Sequence, residues 1–190
     1  MGEEGDDVAG SSGRRWVVDP LDGTVNYLFG IPQWAVSIAV EDADGPLAGV
    51  VFDPMRGECW SAERGGRPLL DGAPVTASGR EDLATALVAT GFGYDAGVRE
   101  QQGALVARLL PQVRDIRRLG SAALDLAWTA GGRYDAYFER GVKHWDVAAG
   151  ELLCTCAGLE VRRLEPAPPA DAGVLVGAPG LLATLAPLVS

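Results

Sequence analysis

The sequence predicts a layered α/β or α+β domain, on three observations. Its first half reads as short strands joined by Gly turns, the pattern of an antiparallel meander. Apolar residues then recur at helical spacing across residues 98–113. Beyond them, short helices and strands alternate to the C-terminus. Elements that are partly segregated and partly alternating fit sheets and helices stacked as layers. The 190 residues suffice for one domain with a sizeable core. No internal repeat or linker divides them, so residues 1–190 are expected to form a single domain.

Residues 1–13 are polar and rich in Gly and Ser, and are expected to be flexible. The run RRWVVDP ends in a strand that should stop at Pro20, because proline cannot donate to a sheet ladder. WAVSIAVED is an apolar, β-branched strand, and GPLAGVVFDP follows it after a turn at Asp44-Gly45-Pro46. GECWSAERGG and RPLLDGAPV read as further short strands, and ALVATGFGY as a strand entering a Gly-rich loop. In VREQQGALVARLLPQV, Leu105, Val106, Leu109, Leu110 and Val113 mark one helix. GSAALDLAWTAGG is a second, closed by its glycine pair. YDAYFE is a strand, and DVAAGELLCTCAG a helix that Gly158 stops. LEVRRLE and GVLVGA are strands separated by PAPPADA, and PGLLATLAPLV closes the chain as a helix.

The chain carries 26 acidic and 16 basic side chains, a formal net charge of −10. Such a balance argues against nucleic-acid binding, which needs a basic face. It leaves anionic substrates open, because a cation-loaded acidic site can hold an anion. No apolar run approaches the ~18 residues of a membrane span, and the N-terminus lacks the apolar core of a signal peptide. Cys154 and Cys156, two apart in a helix, face different ways. With Cys59 they are expected to be reduced thiols of a cytoplasmic protein.

The chemistry concentrates in VVDPLDGT, where Asp19 and Asp22 close an apolar strand on one short bend. Turn formation alone accounts for Asp and Gly there. The strand-end position and the adjacent Gly23-Thr24 add a second reading. Carboxylates, a backbone carbonyl and a hydroxyl suit a hard divalent cation such as Mg2+, and exposed N–H groups suit a phosphate bridging to it. Asp146, in HWDVAAGELL, is either a helix N-cap or a carboxylate turned outward at a helix start, where anions are favoured. Glu3 and Glu4 read alone as a solvated acidic patch.

Taken together, Gly2-Glu3-Glu4, Asp19-Pro20-Leu21-Asp22-Gly23-Thr24 with Asn26, and Trp145-Asp146-Val147-Ala148 resemble the inositol monophosphatase family in order and spacing. That family lies within the Mg2+-dependent, lithium-sensitive phosphatases. NYLFGIPQWAVSIA, TGFGY, RDIRRLGSAALDLAW and GRYDAYFERGVKHWD extend the likeness to bacterial inositol-1-monophosphatases across nearly the whole chain. The resemblance implies a layered αβαβα sandwich of the sugar-phosphatase type. It implies metal ligation by Glu3, Asp19, Asp22, Asp146 and the Leu21 carbonyl. Gly23 and Thr24 would hold phosphate, while Gly120, Ser121, Ala122 and Glu139 would line the polyol side. Glu3 and Thr24 would position water in line with phosphorus, with Mg2+ acidifying it and neutralising the leaving alkoxide. His144, the one histidine, receives no role.

The implied substrate is a small phosphate monoester, myo-inositol 1-phosphate first. Histidinol phosphate, fructose 1,6-bisphosphate or a 3′-phosphoadenosine nucleotide, or a weak or inactive module, are the alternatives. No nucleic acid or membrane partner is expected, and the family suggests a homodimer. Family members normally carry a longer region before GEE, with two helices and an aspartate that orients the threonine. The expected fold is therefore an N-terminally truncated sandwich, with Val36, Ile38, Val50 and Val51 short of cover.

Overall fold

The computed structural model describes Gly2 and residues 12–190. The expectations placed on Glu3, and most of those on residues 1–13, lie outside the described residues. The first sheet is an antiparallel meander of six strands in chain order: β1 (Arg15–Asp22), β2 (Ala35–Asp42), β3 (Gly45–Asp53), β4 (Glu58–Glu63), β5 (Leu69–Leu70) and β6 (Ala73–Pro74). A short helix, α1 (Thr24–Leu28), bridges β1 and β2. β7 (Leu87–Thr90) leads into α2 (Ala96–Leu109), and β8 (Asp115–Arg117) into α3 (Ala122–Ala130). Then follow β9 (Ala136–Arg140), α4 (His144–Cys156), β10 (Glu160–Leu164), β11 (Gly173–Gly177) and α5 (Pro179–Val189). The second sheet runs β10-β11-β9-β7-β8. β8, β7 and β9 are mutually parallel, and β10, β11 and β9 antiparallel.

Burial explains the stacking. Ala35, Ser37, Ala39 and Glu41 of β2 face inward, alternating with half-buried residues. That inner face packs on α4, which packs in turn on α3. α3 reaches the second sheet at β9 and β11, while α5 also packs on β11. β11 is buried at every position, as a strand covered on both faces must be. The described residues thus supply a β-α-β-α stack, four layers of the αβαβα sandwich. On the outer face of the first sheet, Trp16 and Phe52 remain 63% and 40% exposed, and no described helix covers it. Val36, Ile38 and Val50 belong to that half-buried face as expected. Val51 does not: it is fully buried opposite Trp60, because its parity in β3 points it toward α4.

Pro20 does not end its strand. β1 continues to Asp22, and the register breaks between Asp19 and Asp22. Proline is tolerated there because a bulge has no ladder N–H to supply. The sequence reading also left β8 and α1 unassigned; both are too short to show a period.

Two glycines set the spacing of the layers. A Cβ on Gly49 would stand 3.0 Å from the Ala149 Cα, so its absence lets β3 approach α4. A Cβ on Gly150 would lie 2.5 Å from the Leu126 Cβ, so α4 and α3 meet almost backbone to backbone. Alanine ordinarily improves a helix interior over glycine by about 0.5–1 kcal/mol. Gly150→Ala should instead destabilise the fold by about 1–3 kcal/mol, the range for overpacking. Denaturant titration checks this, and a more stable variant would contradict the close-packing account.

Candidate active site

The bulge in β1 makes the site. Residues three apart on a regular strand point to opposite faces. Here Asp19 pairs with Ser37 and Asp22 with Ala35, three steps on β1 against two on β2. The extra residue turns both carboxylates to the inner face, where they are 2% and 9% exposed. The Asp19 Oδ1 accepts the Leu21 N–H at 2.9 Å, and the Thr24 hydroxyl donates to the Leu21 carbonyl at 2.9 Å. Gly23 sits at φ 92°, and a Cβ would meet the Gln33 and Gly120 carbonyls at 3.0 and 3.2 Å, so only glycine closes this turn.

Asp22 joins the sheet to α3. Its Oδ2 accepts the Ser121 hydroxyl at 2.5 Å and the Ala123 N–H at 2.8 Å. Ser121 is also the N-cap of α3, accepting the Leu124 N–H at 3.3 Å. Asn26 secures the preceding loop, donating to the Gln33 and Leu119 carbonyls at 2.7 Å each. Asp146 arrives from α4, although not as its N-cap. The helix begins at His144, and the Asp146 Oδ2 reaches back to accept the Lys143 N–H at 2.7 Å. The capping-box geometry places the acid one turn inside the helix. Glu41 of β2 pins the same helix start, accepting from Arg15 at 2.6 Å and contacting His144 Nε2 at 2.7 Å.

Asp19, Leu21, Asp22, Gly23, Thr24 and Asp146 line one cleft of about 470 Å³. Gly120, Ala122 and Glu139 line the same cleft, the Gly120 carbonyl lying against Gly23. Ser121 is buried between Gly120 and Ala122 and acts on the cleft through Asp22. Every expected site residue among those described therefore belongs to one place. The parallel strands β7, β8 and β9 all deliver their C-terminal ends to it, at Phe92, Arg118 and Glu139. Glu139 accepts the Tyr137 hydroxyl at 2.8 Å and lies directly over Gly91, where any Cβ would overlap its carboxylate. Sequence reasoning missed Arg118 and Lys143 on the cleft wall, and Asp125 beneath it. The signal for Arg118 was its place just before the Gly120-Ser121 loop.

Burial dominates the electrostatics of three acids in and beside the cleft. Burial pushes the Asp22 carboxyl up to about 8, with the charges of Asp19 and Asp146 adding to the rise against the bonds from Ser121 and Ala123. Burial lifts Glu139 to about 7, against the Tyr137 hydroxyl and Arg118. Burial, then the nearby Glu139 and Asp22, raises Asp125 well above its ordinary value, and neither of its oxygens has a hydrogen-bond partner. Raised acids hold protons in the folded state that the unfolded chain has released above about pH 4–4.5. Without divalent cations, the unfolding temperature should therefore fall as pH rises from about 5 to about 8, and Mg2+ should oppose the fall. The lowered acids Asp42, Glu58, Asp115 and Glu160 titrate below that window. Melting curves across this range test it; stability that climbs with pH in chelator would contradict it.

The inositol monophosphatase family model matches residues 1–189. The inositol-1-monophosphatase of Mycobacterium bovis is 46% identical over 191 residues, covering 95% of this chain and 66% of that protein. The Nus factor SuhB of Xylella fastidiosa is 43% identical over 186 residues, covering 93% and 67%. Among solved structures, Mycobacterium tuberculosis SuhB superposes with a TM-score of 0.86 at 41% identity, covering 99% of this chain and 73% of that one. The suhB protein of Bartonella henselae gives 0.91 at 34% identity, covering 100% and 74%. The chain spans about two thirds of the length of the curated relatives it matches. A family match along nearly its whole length, joined to the shared fold, shows that this chain belongs to the inositol monophosphatase family.

Proposed function

We propose that the chain hydrolyses a small phosphate monoester, myo-inositol 1-phosphate foremost, with Mg2+ as cofactor. The observation that carries this reading is the bulge that turns Asp19 and Asp22 into one cleft with Asp146, lined also by Gly120, Ala122 and Glu139. The donors suit Mg2+: hard carboxylate oxygens and the Leu21 carbonyl, with no thiol or imidazole lining the cleft. The raised Asp22 acid also fits, since no cationic side chain contributes to lowering it. Among the described residues, no three acidic, thiol or imidazole groups close into a ready-made cage. Ions shared between carboxylates and completed by carbonyl, water and substrate oxygens suit that spacing better than one enclosed ion.

When bound, Mg2+ would supply Lewis-acid stabilisation of phosphoryl charge and acidify water. Asp19, Asp22 and Asp146, with the Leu21 carbonyl, would hold it. Glu3 is proposed as a further ligand; Gly2 before it forms a parallel bridge with Val18, next to Asp19. Thr24, oriented by the Leu21 carbonyl, would align the attacking water with phosphorus. Backbone N–H groups at Gly23 and Thr24 would hold the phosphate. Glu139 would accept a hydrogen bond from a hydroxyl of the alcohol, with Gly120, Ser121 and Ala122 shaping the cleft around it. Lithium sensitivity belongs to the same proposal. A phosphate-release panel across inositol 1-phosphate, histidinol phosphate, fructose 1,6-bisphosphate and a 3′-phosphoadenosine nucleotide identifies the alcohol.

Asp22→Asn keeps the shape of the side chain and its bond from Ser121 while removing the charge. Phosphate release should fall about a hundredfold or more, because a direct ligand should matter at least as much as the outer partners worth about 10–100-fold. The folded state should meanwhile melt no lower than the wild type in chelator. Undiminished turnover in the folded variant would overturn the metal assignment.

A further inference from the structure

The parallel strands frame a second cavity at their N-terminal ends, away from the cleft at their C-terminal ends. Leu87 opens β7, Asp115 opens β8 and Asp135 immediately precedes β9, and all three line it. Its volume is about 640 Å³, against about 470 Å³ for the cleft. Gly132 lets the surrounding loops close together: it sits at φ 77°, and a Cβ there would come within 2.9 Å of the Thr76 carbonyl oxygen. Arg80, Arg114, Arg117 and Arg133 converge on this cavity from three separate segments, four of the 16 basic side chains in a chain of net charge −10. The acids beside them are already occupied. Asp135 accepts the Ser78 hydroxyl at 2.5 Å and the Leu87 N–H at 2.7 Å, with the Arg80 Nε 3.2 Å away. Asp115 accepts the Ile116 N–H at 2.8 Å and Arg117 Nη1 at 2.6 Å. Asp82, behind Thr85, caps its own turn by accepting the Ala84 N–H. Glu58 holds Arg133 at two points, 2.6 and 2.7 Å, from outside the lining. Arg114 is exposed and forms no side-chain hydrogen bond or ion pair with a described residue, although its charge helps to hold the Asp115 carboxyl down.

We propose that this cavity is a second ligand site, for a compact polyphosphate anion of the pyrophosphate or tripolyphosphate class. The proposal does not depend on the phosphatase reading. Each guanidinium carries five N–H donors in a planar fork that matches phosphate oxygens two at a time. Arg80, Arg114 and Arg117 together present more donors than their neighbours accept: Arg80 gives Nη1 to Thr85 at 3.1 Å, and Arg117 gives Nη1 to Asp115 and to the Ile116 carbonyl. Several forks facing one space suit a ligand with several charged groups. The lining also selects against larger organic phosphates. Among the described residues Leu87 is the only apolar side chain that lines the cavity, and no aromatic one does. A nucleobase or an acyl chain would find no apolar platform there. The ion pairs of Arg80 and Arg117 leave those side chains 45% and 42% exposed, so solvent screens them and a multiply charged anion can displace them. Asp135 would keep its bonds from Ser78 and Leu87 when Arg80 turns to the ligand.

The test is calorimetric titration of the chain with pyrophosphate, tripolyphosphate and ATP in chelator, where the acid-lined cleft has no metal to attract an anion. The wild type should bind one pyrophosphate per chain, more weakly as salt rises. The double variant Arg80→Gln/Arg114→Gln, checked for folding by circular dichroism, should bind about tenfold or more weakly, as expected for lost charged hydrogen bonds. Arg118→Gln, in the cleft, should bind like the wild type. Tripolyphosphate should bind at least as tightly as pyrophosphate, and ATP no more tightly than tripolyphosphate. No binding by the wild type, or equal binding by the folded double variant, overturns the site. Binding lost in Arg118→Gln and kept in the double variant places the anion in the cleft and also overturns it. ATP binding markedly tighter than tripolyphosphate overturns the ligand class.

Discussion

Asp22 is the point at which the sheet, the helical layer and the cleft are held together. A bulge of one residue brings it to the inner face of β1 beside Asp19. Its Oδ2 then takes the Ser121 hydroxyl and the Ala123 N–H, so the start of α3 is fixed to the end of β1. The stretch from Gly120 to Ala122 is therefore positioned by the same carboxylate that repels Asp19 and Asp146. Structure and site thus share one side chain, whose hydrogen bonds hold α3 to β1 while its oxygens line the cleft.

That sharing has an energetic consequence. Burial that lifts the Asp22 carboxyl to about 8 disfavours its ionised form in the folded state. Glu139 and Asp125 add to the same strain from the layer behind. The surroundings are closely packed. Gly49 and Gly150 allow α4 to sit close between β3 and α3, and Glu41 anchors the first turn of α4 through His144.

Much of this was legible in the sequence because motif and element coincide. The meander, the helix between Ser121 and Gly131, and the family pattern around Asp19, Asp22 and Asp146 all lie in local runs whose chemistry reads directly from residue order. What escaped depended on tertiary pairing. Pro20 looked like a strand end, yet β2 continues past it and absorbs it in the bulge. Asp146 could be read as an N-cap or an outward carboxylate, yet Lys143 caps the helix and Asp146 sits three residues on, where His144 beside it meets Glu41 across the layers. Val51 looked uncovered, yet the parity of β3 buries it. Arg118 lies after a three-residue strand that shows no period, and only the Phe92 ring and Gly120 reveal its setting.

The central claim is that the buried carboxylates are partly protonated until a divalent cation displaces those protons. Isothermal titration of the metal-free protein with Mg2+ near pH 7, repeated in buffers of different ionisation enthalpy, counts the protons released on binding. The account predicts saturable binding with release of about one proton per chain, diminishing above about pH 9 as the acids ionise unaided. Binding with no proton release at pH 7, or no binding that depends on Asp19, Asp22 and Asp146, would contradict it.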